Sequence, residues 1–229
     1  MMRYIFIPFL LLIFQSSFSQ PISYKQWREE AKSNIRLLPE YGNVRKPKEL
    51  LEMDQELIQG EVKQYGTHRK ASDTLISFGF NNIYSGDIRT AMYRFNQAYL
   101  LDPKNENVYW GYGSIYFTFN DTEEALKQYN KGLAINPNSS NILTDKATIY
   151  MSLFQYKGGT DYLNKAIELF NKSYKIDPLN QNTLFKLSAA HFYKKDCNNA
   201  WRFYKECMKL GGKSISVGYA DALKKMCAN

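Results

Sequence analysis

Only two histidines, His68 and His191, occur among the 229 residues, and they stand far apart in the chain. Asp196 and Cys197 follow the second, but residues scattered over one helical turn do not have the spacing of a metal site. No nucleophile is accompanied by a base placed to activate it, so neither an enzyme nor a cofactor is expected. Gly212-Lys213-Ser214 imitates the end of a phosphate-binding loop, yet Cys207 holds the place of that motif's first glycine. Gly111-Tyr112-Gly113-Ser114 is likewise missing the third glycine of a nucleotide loop. There is no run of five or six Lys or Arg. The 30 basic and 22 acidic residues, net +8, are spread along the chain, which describes a solvated, mildly basic surface. After residue 14 no stretch is apolar enough, for about 20 residues, to cross a bilayer.

The one long apolar run lies at the start. Met1-Met2-Arg3 begins with positive charge, Tyr4–Phe14 is apolar, and Ser17-Phe18-Ser19 offers small residues for cleavage. That is the layout of a signal peptide spanning 1–19, cut after Ser19. No cysteine stands at the cut, so a lipid-modified N-terminus is not expected. The mature chain is read as exported, periplasmic or secreted, and export argues against a nucleic-acid partner.

Among the residues that are abundant, 18 Tyr and 14 Phe exceed what one ordinary core needs. They recur with a period. Leu101-Asp102-Pro103, Ile135-Asn136-Pro137 and Ile176-Asp177-Pro178 share one pattern. Twelve residues before each proline stands Ala91, Ala125 or Ala166, and eight before it Phe95, Tyr129 or Phe170. Helix A of each unit supplies Phe78-Gly79, then Tyr109 with Tyr112-Gly113 and Tyr116, then Leu143, Ala147 and Tyr150, and finally Leu184 with Leu187-Ser188.

These residues resemble the tetratricopeptide repeat (TPR). The resemblance implies an all-α, right-handed solenoid of helical hairpins with about four repeats over 69–214: 72–105, 106–139, 140–180 and 181–214. Small residues let paired helices approach, and Phe95 and Tyr129 fill the gap between hairpins. The third unit carries seven extra residues around Lys157-Gly158-Gly159, expected in its inter-helix turn. Residues 20–68 read as an N-terminal helical segment, with helices at 22–37 and 47–64 that cap repeat one. Residues 215–229 read as a C-terminal capping helix.

Within this frame the cysteines sort. Cys197 and Cys207 lie ten residues apart on one helix, about 15 Å, and cannot bond. A capping helix running back from Gly212 would bring Cys227 opposite Cys197, so a Cys197–Cys227 disulfide is expected.

The resemblance also places helix A residues on a concave groove that binds a protein or peptide. Its lining is expected to be aromatic: Phe80, Tyr84, Trp110, Phe117, Phe185 and Phe192, with Ile76, Ile83, Thr144, Thr148, Met151 and Tyr193 beside them. Lys186, Asn107, Asn141 and Asn182 are the residues on hand for gripping a carboxylate. The three asparagines read instead as helix N-caps, which disfavours that mode. Two other roles fit the same sequence: a structural subunit of an envelope or secretion assembly, and an immunity-type inhibitor of an acidic partner. The oligomeric state is open.

Overall fold

The computed structural model describes residues 22–227, among which eleven α-helices and no strand occur. The leader expected at 1–19 lies outside the described residues. Eight helices form four antiparallel pairs: α3 (His68–Ser85) with α4 (Ile88–Leu101), α5 (Glu106–Thr118) with α6 (Thr122–Ile135), α7 (Ser140–Lys157) with α8 (Thr160–Ile176), and α9 (Gln181–Tyr193) with α10 (Cys197–Lys209). Each pair packs on the next, and α3, α5, α7 and α9 also touch in series, so the pairs stack as a solenoid.

Three of the four hairpins turn by the same local device. A residue in the left-handed region precedes an aspartate whose carboxylate accepts the backbone N–H three residues on: Gly86-Asp87 to Thr90, Asn120-Asp121 to Glu124, and Lys195-Asp196 to Asn199. The aspartate satisfies an amide that the first helical turn leaves bare. Asn120 and Lys195 do a glycine's work here at a steric cost.

The third hairpin differs from expectation. Its seven extra residues do not enlarge the turn, which is only Gly158-Gly159, both at positive φ. Relative to α5 and α6, α7 is five residues longer and α8 three longer, while the turn is one shorter. The added segments lack proline and form helix readily, so they extend the ladder. Repeat one also begins early, with α3 starting at His68, where Thr67 caps it, and not at 72.

The gap between hairpins is closed by rings against bare backbone. A Cβ on Gly79 would lie 2.5 Å from the ring of Phe95, one on Gly111 2.3 Å from the same ring, and one on Gly113 2.2 Å from Tyr129. Phe95, Tyr129 and Phe170 are fully buried.

The N-terminal segment departs from the expected helix over 22–37. α1 (Tyr24–Ala31) ends early, and two short 3-10 turns follow at Ile35–Leu37 and Pro39–Asn43. Pro39 cannot continue a helix, and Glu40, Tyr41, Gly42 and Asn43 all have positive φ. This strap crosses the backs of α4 and α6. Trp27 and Leu37 are buried there. Glu30 takes both hydrogen bonds of Arg89, Lys131 bonds Glu40 at 2.6 Å, and the Asn96 amide donates to the carbonyls of Arg36 and Leu38. α2 (Lys48–Tyr65) then packs on α3 and α4 through Ile58, Val62 and Tyr65. At the other end, α11 is shorter than expected, Tyr219–Met226. Cys227 just beyond it is disulfide-bonded to Cys197, with Cα atoms 5.6 Å apart, and Cys207 is a buried thiol.

Candidate binding groove

Helices α3, α5, α7 and α9 line one side of the stack, and two adjoining cavities open along it. The first, about 270 Å³, is walled by Phe80, Ile83 and Tyr84 of α3, Trp110 and Phe117 of α5, and Asn141, Asp145, Asn182 and Lys186 beyond. The second, about 490 Å³, is bounded by Met151 of α7, Phe185, Phe192 and Tyr193 of α9, and Val217 to Tyr219 at the start of α11. Thr148 and Lys186 border both, so the two form one groove. All six expected rings therefore face it. Phe80 stacks at a tilt on Trp110 with centroids 4.1 Å apart, and Tyr219 meets Phe185 edge to face at 5.2 Å. Tyr84 is 82% exposed, whereas the other five are half-buried.

Two expected lining residues belong to the core. Ile76 is buried against the first hairpin. Thr144 is buried in a hydroxyl cluster with Ser173 and Thr183, because its short polar side chain reaches across the α7–α8 and α7–α9 junctions. The asparagines are corrected as well. The N-caps are Asn105, Ser139 and Asn180, two residues ahead of the expected positions. Asn141 and Asn182 consequently sit inside the first turn and face the groove beside Lys186.

The groove's charge comes from one step of the repeat. Gly111, Asp145 and Lys186 are each the sixth residue of α5, α7 and α9. Where the glycine admits Phe95, the later helices place a carboxylate and an amine. The Trp110 indole N–H donates to Asp145 at 2.6 Å. Burial raises the Asp145 pKa, against that bond and the charge of Lys186; burial lowers the Lys186 pKa, against the charge of Asp145. Sequence reading named Lys186 but missed Asp145, although its register with Gly111 was available in the 34-residue period.

A larger hollow, about 670 Å³, opens between α1 and the start of α6, rimmed by Lys25, Arg28, Glu29, Asp121 and Glu124. Its rim is charged and its one convergent contact, Tyr24 to Asp121, is already made. The aromatic groove is the better candidate. Among the described residues no cluster of three or more His, Cys, Asp or Glu is placed to hold a metal, and no helix is long and apolar enough to cross a membrane.

Stacked antiparallel hairpins with a groove along their first helices define an α-solenoid of the helical-repeat class. The tetratricopeptide-repeat family model matches residues 83–151, across the first two junctions. Residues 83–151 thus carry the tetratricopeptide repeat, and the chain has the fold of that family. Its fold is similar to a thermophilic TPR protein of Thermus thermophilus, with 14% identity over 68% of this chain and 80% of that one and a TM-score of 0.56. MamA is a more distant likeness, at 18% identity, 74% and 98% coverage and a TM-score of 0.47. No curated protein matches the sequence.

Proposed function

We propose that the chain is an exported TPR adaptor that holds a protein or peptide segment in the aromatic groove. The observation that carries this reading is the continuous groove itself, in which six rings from three helices converge around Asp145 and Lys186. Rigid rings contribute large contact area with little lost side-chain entropy, and the two charged groups orient a polar backbone or end group. Export is supported by the positive and apolar start of the sequence and by the Cys197–Cys227 bond, which persists in oxidising compartments.

The test is capture from the native host under mild conditions, comparing wild type with Tyr84→Ala/Phe117→Ala. Tyr84 is exposed and Phe117 packs against the core along only part of its ring, so the variant should keep its helicity and melt cooperatively at a somewhat lower temperature. A stoichiometric partner held by wild type and released by the variant is expected. A partner retained at full strength by the folded variant would place binding elsewhere and refute the groove reading.

A further inference from the structure

The two ends of the stack carry matching stripes of opposite charge. On α2, Ile58, Val62 and Tyr65 turn inward. The outward side bears Glu49, Glu52 and Glu56 with Met53, all exposed, Met53 at 62%. On α10, Ala200, Phe203 and Cys207 are buried. Its outward side bears Arg202, Lys205 and Lys209, beside Trp201 and the exposed Met208, and a shallow hollow opens among Asn198, Trp201, Arg202 and Lys205. The acids stand at helical spacings of three and four residues, and so do the bases. α2 carries five acidic and two basic residues in a chain of net +8, whereas α10 carries three basic and one acidic. Competing partners within each helix are few: Lys48 lies 3.5 Å from Glu52, and Glu206 lies 3.9 Å from Arg202 while also accepting the Tyr174 hydroxyl.

We infer that these faces dock on each other between two copies of this chain, α2 of one against α10 of the next. The occupant of each stripe is a second copy because the complementary partner, in charge sign, spacing and flanking methionine, is present on the same molecule at the opposite end. The contact joins two different faces, so it propagates head to tail and does not close as a two-fold dimer. One helix pair buries less than the roughly 800 Å² per partner of a standard interface, which makes the association concentration-dependent and sensitive to salt. It leaves the groove open and stands independently of what the groove holds.

The experiment is sedimentation velocity on the purified chain over a range of concentrations at low and high salt, with two charge reversals. Wild type should form chains of copies that shorten as salt rises. Glu52→Lys/Glu56→Lys alone, and Arg202→Glu/Lys205→Glu alone, should each associate about tenfold or more weakly. Mixed together, the two variants should recover association, because the reversed α2 of one now matches the reversed α10 of the other. All these positions are exposed, and unchanged circular dichroism would show that the variants fold. A wild-type chain that stays monomeric at low salt overturns the inference. So does assembly that survives either reversal made alone, or variants that fail to rescue one another.

Discussion

Replacing Gly111 by alanine sets two physical effects against each other with opposite signs. Alanine is the better helix former by about 1 kcal/mol, so in the interior of α5 propensity alone favours the change. The structure predicts the reverse. The new Cβ would lie 2.3, 2.4 and 2.6 Å from three atoms of the Phe95 ring. That ring is fully buried, and the same edge of it also lies against Gly79, where a Cβ would meet it at 2.5 Å, so it has little room in which to yield. Overpacking of a closed site costs about 1–3 kcal/mol, and a fully buried ring in close contact with two glycines belongs at the upper end. The net expectation is a loss of about 2 kcal/mol, or about 4–8 °C in melting temperature for a chain of this size. Thermal melts followed by circular dichroism measure it. Gly60→Ala in α2 is the control, since nothing lies within 4 Å of a Cβ there and a gain of up to about 1 kcal/mol is expected. Combining Gly111→Ala with Phe95→Leu should cost less than the sum of the two single changes. If Gly111→Ala is neutral or stabilising, the argument that bare backbone is required at this junction is wrong.

Cys227→Ser should destabilise the C-terminal end by about 3.5 kcal/mol, the closure entropy of a 30-residue loop, with α10 and α11 losing amide-exchange protection first. Lys195→Gly should stabilise by about 0.5–1 kcal/mol, because Lys195 holds φ 60° without a glycine's freedom; a destabilised variant in urea melts would contradict the turn geometry. Burial lowers the His191 pKa despite the hydrogen-bonded Asp196, so the folded state takes up its proton later than the unfolded state does. Stability should therefore fall as pH drops below about 6.5, where the unfolded state binds more protons. His191→Gln should flatten that part of the pH–stability curve, and an unchanged slope would assign it to other groups.

What the sequence by itself determined is what recurs locally along it. The 34-residue spacing of the prolines and the register of Ala91, Ala125 and Ala166 with Phe95, Tyr129 and Phe170 define the hairpins, because a repeat buries its apolar face only on a copy of itself. Gly79 and Gly113 were legible as close-approach points for the same reason, and six groove rings followed from their places in the repeat. Tertiary structure decided what depends on contacts distant in sequence. The strap of residues 22–43 was unreadable, since its left-handed turn is held by Lys131, Asn96 and Tyr112 from other helices and not by its own residues. Lys195 gives no composition signal of a left-handed turn, whereas Asn120 belongs to a residue type that tolerates one; an Asp cap follows each. The seven added residues could enter a loop or lengthen a helix pair, and packing of α7 on α8 chose the latter. Periodicity places a side chain on a face, but whether that face is core or open groove depends on what packs opposite, which is why Ile76 and Thr144 are buried while Trp110 and Phe185, one repeat along from each, line the groove.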